Sequence, residues 1–154
     1  MKILVTYQSK SGFTEKYAQW ISQELSCEMK AAEEVTAQEA TAYDLVIHGG
    51  WLMAGSINGL EKIRKMNPKK LVVFGVGLAE NGSMDEAVKK RNHLENTPFF
   101  YMQGGANPEK LGLFSKLVVR IATKKPLTFL DLSKQEYTDG LIQYVRQMDI
   151  PAGN

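Results

Sequence analysis

Cysteine occurs once in this 154-residue chain, at Cys27, so no internal disulfide and no cysteine-rich metal site can form. A reducing compartment suits that composition. Histidine occurs twice, at His48 and His93, and neither has a carboxylate cluster near it in sequence, which argues against a metal centre. No stretch approaches the roughly 20 apolar residues of a membrane span. The opening run Ile3-Leu4-Val5 gives way within a few residues to Gln8, Ser9, Lys10 and Ser11, too soon for a secretory leader. The expectation is a cytoplasmic protein. The five prolines are scattered rather than gathered into a linker, and no repeat or low-complexity tract appears. One domain over residues 1–154 is therefore expected.

Strong charge of one sign is also missing. With 19 basic and 17 acidic residues the formal charge is +2, which makes no case for nucleic acid as a partner. Charge is uneven along the chain, however. Glu24, Glu28, Glu33, Glu34 and Glu39 sit in the first half, while Lys110, Lys116, Arg120, Lys124 and Lys125 gather later, where a partner surface is expected.

The pattern that is present alternates short apolar runs with helical periods. Lys2 to Tyr7 reads as a strand buried on both faces, and Phe13 to Leu25 as an amphipathic helix carrying Tyr17, Ala18, Trp20, Ile21 and Leu25 on one side. A short strand over Cys27 to Ala31 and a helical turn over Thr36 to Ala42 follow. The run Leu45-Val46-Ile47 then reads as a strand that stops at Gly49-Gly50. Asn58 to Met66 suits a helix and Lys70 to Phe74 a strand ending at Gly75 and Gly77. Ser83 to Leu94 suits a helix, with Ser83 and Glu86 at capping-box spacing. Pro98 to Gln103 is a fifth strand, and Lys134 to Met148, entered from Thr128 to Leu132, a last helix. Such alternation predicts a doubly wound α/β fold, a five-stranded parallel sheet with helices on both faces. Ligands in these folds bind beyond the carboxyl ends of the strands.

The loop after the first strand, Ser9-Lys10-Ser11-Gly12-Phe13-Thr14, leads straight into a helix. Backbone amides at a helix start favour an anion. Gly12 permits a tight turn, and the hydroxyls of Ser9, Ser11 and Thr14 offer donors to phosphate oxygens. The spacing is not that of a triphosphate loop, and no G-x-G-x-x-G follows the strand, so a monophosphate fits best. Serine, glycine and threonine also make turns and cap helices without any ligand. Their place directly after the first strand favours the ligand.

The hydroxyl-any-hydroxyl-Gly-any-Thr pattern of Ser9, Ser11, Gly12 and Thr14, with Tyr43-Asp44-Leu45-Val46-Ile47-His48-Gly49 further on, resembles the flavodoxin family over nearly the whole chain. The resemblance implies flavin mononucleotide (FMN) as cofactor, its phosphate in the Ser9 to Thr14 loop. The isoalloxazine ring would then lie between Gly50, Trp51, Leu52, Met53, Ala54 and Gly55 on one side and Gly75, Val76, Gly77, Leu78 and Glu80 on the other. A carbonyl near Ala54-Gly55 is expected at the flavin N5. No catalytic side chain and no metal are implied.

Two features depart from ordinary flavodoxins, which are usually acidic and sandwich the ring between aromatic side chains. The charge here is slightly positive, and Gly75 to Glu80 holds no aromatic residue. The sequence is more similar to the flavodoxin-like, quinone-linked protoporphyrinogen oxidases and their relatives. Leu111 to Lys125, with Leu113, Phe114, Leu117, Val118 and Ile121 at helical spacing among Lys116, Arg120, Lys124 and Lys125, reads as an extra basic amphipathic helix. It suits the inner face of a membrane, an acidic partner, or packing on the domain itself. The implied function is electron transfer or oxidoreductase chemistry, with a redox partner protein, a quinone or a porphyrinogen. The rival reading is a binding or regulatory module that kept the fold and lost the flavin.

Overall fold

The structure, a computed structural model, describes residues 1–80, 82–107 and 130–148. In chain order the elements are β1 (Ile3–Gln8), α1 (Phe13–Glu24), β2 (Glu28–Ala31), α2 (Ala37–Ala42), β3 (Leu45–Met53) and β4 (Ser56–Ile57). There follow α3 (Leu60–Lys65), β5 (Leu71–Gly77), α4 (Asp85–Arg91), β6 (Phe99–Gln103), β7 (Gly105–Ala106), β8 (Leu130–Asp131) and α5 (Asp139–Met148). Five of these strands pair in parallel in the order β2-β1-β3-β5-β6, and the short β4 folds back antiparallel on the end of β3. The architecture is the doubly wound α/β fold expected, with winding that reverses between β1 and β3.

Side-chain alternation along the strands builds the two faces. Val5, Ile47 and Phe74 point to one side, where they pack with Tyr17, Ala18 and Ile21 of α1 and Leu141 and Val145 of α5. Leu4 and Val46 point to the other, against Ala40 of α2 and Ile63 of α3, and Val73 there meets Val88 of α4. Because both faces are covered, the central strands are mostly apolar, with Thr6 and His48 the buried polar exceptions on β1 and β3, while edge strand β2 is only half-buried. Each large aliphatic side chain fully withdrawn from water contributes about 1.5–3 kcal/mol.

Three expectations are corrected. β3 does not stop at Gly49-Gly50 but runs on to Met53, with Gly49 paired to Phe74 and Gly50 to Gly75. These glycines are space-makers rather than breakers, since a Cβ at Gly49 would collide with the Phe74 ring and one at Gly50 with the Asn58 carbonyl. Ser83 and Glu86 form no capping box. The Ser83 hydroxyl donates back to the Glu80 carbonyl (2.7 Å), and α4 begins two residues later without a side-chain cap. The capping box lies instead at α2, where Glu39 N–H donates to Thr36 Oγ1 (3.2 Å) and Thr36 N–H to Glu39 Oε2 (3.0 Å). The last helix is shorter than expected. Gln135–Thr138 makes a tighter turn before α5.

β7 and β8 pair antiparallel as a separate two-stranded sheet, with Gly105 opposite Asp131 and Ala106 opposite Leu130. The helix expected over Leu111 to Lys125 lies outside the described residues. Among the described residues no helix is long and apolar enough to cross a membrane.

Candidate functional site at the carboxyl edge of the sheet

A cavity of about 350 Å³ opens at this edge, within the size range of small-molecule sites. Its first wall is the β1–α1 loop. Gly12 adopts φ +93° at the start of α1, a conformation glycine tolerates best. The Gly12 N–H donates to Ser9 Oγ at 3.1 Å, so the Ser9 hydroxyl closes the loop on itself. Ser11, Phe13 and Thr14 line the cavity instead. α1 runs for twelve residues, so its amino end carries the partial positive charge that attracts anions.

The second wall is the β3–β4 hairpin. Ala54 (φ +50°) and Gly55 (φ +82°) are the two central residues, and positive φ at both makes a type I′ turn, the connection that matches the strands' twist. The hairpin root is held by a buried chain of hydrogen bonds. His48 Nε2 lies 2.9 Å from the Asn58 carbonyl and Nδ1 lies 2.9 Å from Thr6 Oγ1. A carbonyl only accepts, so Nε2 carries the proton and the Thr6 hydroxyl donates to Nδ1. Asn58 in turn donates from Nδ2 (2.9 Å) and from its backbone N–H (3.1 Å) to the Trp51 carbonyl. Complete burial pushes the His48 pKa down to about 4, so the ring is neutral and structural.

The third wall is the end of β5. Tyr101 Oη donates to the Ala79 carbonyl (2.8 Å), Gln103 Nε2 to the Leu78 carbonyl (3.1 Å), and Gly104 N–H to the Gly77 carbonyl (2.7 Å). Three consecutive carbonyls are thus turned toward β6. In trans peptides the N–H groups of Leu78, Ala79 and Glu80 lie on the opposite side. Burial raises the Tyr101 phenol to about 12, so it remains a donor across the physiological range.

Eleven of the residues singled out in sequence meet around this cavity: Ser11, Phe13, Thr14, the run from Trp51 through Gly55, Val76, Gly77 and Leu78. Ser9, Lys10, Gly12, Gly50, Gly75 and Glu80 are not among its lining residues. Ser9 and Gly12 shape the loop, Gly50 and Gly75 are buried partners within the sheet, and Glu80 is exposed. Lys10 places its ammonium 5.6 Å from the centre of the Trp51 ring. The Gly55 carbonyl accepts from Asn92 Nδ2 (2.7 Å).

Ala79, within the Gly75 to Glu80 loop, and Gly105 and Ala106, on the loop after the fifth strand, complete the lining together with Met84, Val88 and Tyr101, which sequence reasoning missed. Tyr101 is the instructive case. The second loop has no aromatic residue, but β6 supplies one from the neighbouring strand. The alternation Phe99, Tyr101, Gln103 was the available signal, since it sets all three on one face of that strand. Met84, 42% exposed, had no such signal. Cys27, half-buried with its thiol pushed up to about 11, is no nucleophile, and no metal-binding cluster of His, Cys, Asp or Glu exists among the described residues.

A parallel sheet in the order β2-β1-β3-β5-β6, with a helix-start loop and an apolar slot meeting at its carboxyl edge, defines a doubly wound α/β protein with a crevice site. The chain belongs to the flavodoxin family, for the family model described as a flavodoxin domain matches residues 4–127. None of the curated proteins compared with it matches. Among solved structures, a flavodoxin from the domain Archaea is 17% identical, with 80% of this chain and 98% of that chain covered and a TM-score of 0.48. Oxidised Flavodoxin 2 from Bacillus cereus is 23% identical, covering 81% and 100%, with a TM-score of 0.47. The two-electron reduced flavodoxin of Megasphaera elsdenii is 21% identical, covering 64% and 82%, with a TM-score of 0.48.

Proposed function

We propose that this chain is an FMN-dependent electron-transfer protein whose flavin site is the cavity at the carboxyl edge of the sheet. The observation that carries the reading is a juxtaposition. Hydroxyl side chains at a helix start, Ser11 and Thr14, share one cavity with the largely apolar side chains of Trp51, Leu52, Val76, Leu78 and Tyr101. That donor set fits a planar heteroaromatic ring joined to a phosphate. The amides at the start of α1 and the Ser11 and Thr14 hydroxyls would take the phosphate. Trp51 and Tyr101 would flank the ring, while the backbone of the β3–β4 hairpin and of the β5 end would meet its polar edge. Bound there, the flavin supplies the redox chemistry, taking up and passing on electrons. The chain's own part is to orient the ring, exclude water with hydrocarbon walls and fix the hydrogen-bond donors around it. A carbonyl of the Ala54-Gly55 turn would meet the flavin N5, and the Gly55 carbonyl already accepts one hydrogen bond from Asn92.

The finer reading is a quinone- or porphyrinogen-linked dehydrogenase rather than a carrier for a redox partner protein. It is supported by the slightly positive charge, by the absence of an aromatic side chain from Gly75 to Glu80, and by the hydrocarbon of Met53, Leu78 and exposed Met84 at the cavity. A flat apolar electron partner would meet favourable surface there. Peripheral contact with the inner face of a membrane through Leu111 to Lys125, a cytoplasmic location and a single domain over 1–154 belong to the same proposal.

The cofactor reading is tested by titrating the apoprotein with FMN and with riboflavin. Ser11→Ala is expected to weaken FMN about tenfold, the equivalent of one charge-assisted hydrogen bond, and to leave riboflavin unchanged. A chain that takes up neither flavin is the cofactor-free module. Anaerobic mixing of the reduced protein with a menaquinone analogue and with an oxidised ferredoxin, and of the oxidised protein with a porphyrinogen, separates dehydrogenase from carrier.

A further inference from the structure

The side chain of Asn92 is not among the residues expected at the ligand, yet its amide is engaged at both ends. Asn92 follows α4 and is 8% exposed. Its Oδ1 accepts from the Ile57 N–H (2.9 Å), and its Nδ2 donates to both the Gly55 carbonyl (2.7 Å) and the Val88 carbonyl (2.8 Å). The residues it joins lie 35 and 37 positions away in the hairpin and four away in its own helix. Two of the three, Gly55 and Val88, line the cavity. Arg91 adds a contact to the same hairpin, Nε to Ser56 Oγ at 3.2 Å.

We infer that Asn92 is the positioning residue of the cofactor cavity, fixing the tip of the β3–β4 hairpin against α4 and so presetting the distance between two of the cavity's walls. The inference rests on the FMN reading and deepens it. A two-residue hairpin tip paired to a single strand frays readily unless another element holds it. With both amide donors and the acceptor engaged in a nearly dry environment, the Gly55–Ser56 peptide has one orientation. The turn resists the obvious alternative as well. Turning the Ala54–Gly55 peptide over would convert type I′ to type II′, whose first central position is a glycine position, and Ala54 occupies it. Asn92 and Ala54 thus restrict the rim of the ring site to a single shape before any ligand arrives. The ordering that a flexible rim would suffer on binding is already complete in the folded chain.

The test uses the full chain carrying Asn92→Leu, close in volume and unable to make any of the three bonds, and Asn92→Asp, which keeps the acceptor for Ile57 but loses both donors. Dissociation constants are measured for FMN and riboflavin at a temperature where circular dichroism shows each variant folded. Amide hydrogen exchange at Ile57 is followed alongside in the apoprotein. The expected result for Asn92→Leu is about tenfold weaker binding of both flavins with loss of Ile57 protection. Asn92→Asp keeps the Ile57 protection and still weakens both flavins. Loss on both ligands separates this ring-side effect from the phosphate-side Ser11→Ala effect, which falls on FMN alone. Unchanged dissociation constants in a variant whose melting temperature has dropped would overturn the proposal, leaving Asn92 a merely stabilising residue. Unchanged Ile57 exchange in Asn92→Leu would overturn it equally. If the wild-type chain binds neither flavin, the cofactor reading fails, and the exchange of Ile57 still decides whether Asn92 clamps the hairpin.

Discussion

The two sides of the cavity are held together by different means. On the anion side, the Ser9 to Thr14 loop is shaped locally, by the φ of Gly12 and a hydrogen bond from Gly12 N–H to Ser9 Oγ three residues back. On the ring side, the hairpin and the β5 end are held by His48 through Asn58, by Asn92, and by Tyr101 and Gln103, side chains 7 to 37 residues distant from the backbone they fix. The difference teaches where each side gets its shape. A helix start needs only its own residues to hold an anion, whereas a site for a flat ring needs separate elements kept at a fixed spacing.

The ring side should therefore be the fragile one. The largest effect is expected from Gly50→Ala. Its Cβ would run into the Asn58 backbone, which cannot give way as a flexible side chain can, at a cost of about 3 kcal/mol or outright misfolding. Urea denaturation measures it. Next comes pH. The folded His48 pKa of about 4 lies below the ordinary value near 6.5, so between those values the unfolded chain takes up a proton that the folded chain refuses. Stability from this group is complete above pH 6.5 and falls as pH drops toward 4, by about 3 kcal/mol in all. His48→Gln should flatten the slope between pH 6.5 and 5, and an unaltered slope would show that the imidazole is not the cause. Tyr101→Phe removes the bond to the Ala79 carbonyl and is expected to cost about 1 kcal/mol, with faster amide exchange confined to residues 78 to 80. Ser9→Ala, on the anion side, should cost the least, about 0.5 kcal/mol. If it matched Gly50→Ala, the contrast between the two sides would collapse.

The same contrast explains what could be read from the sequence. The strand–helix alternation and the β1–α1 loop were legible because each is written in contiguous residues, an apolar run, then hydroxyls and Gly12, then an amphipathic helix. The glycines at 49 and 50 misled because glycine ends strands in general, while here the Phe74 ring and the Asn58 backbone need the space a side chain would fill. The apparent capping box at Ser83 failed because the Ser83 hydroxyl turns back to Glu80, whereas Thr36 and Glu39 hold a real one at the same spacing. Tyr101 could be placed on a face of β6 by its alternation but not at the site, and Asn92 not at all, because their roles exist only once β6 and α4 are packed beside the loops they hold.

The visible spectrum of the purified protein, taken after addition of excess FMN and removal of the unbound flavin and again after anaerobic reduction, tests the central claim most directly. The expected result is a yellow protein with one FMN per chain whose absorption bleaches on reduction. A colourless protein that retains no FMN would contradict the account.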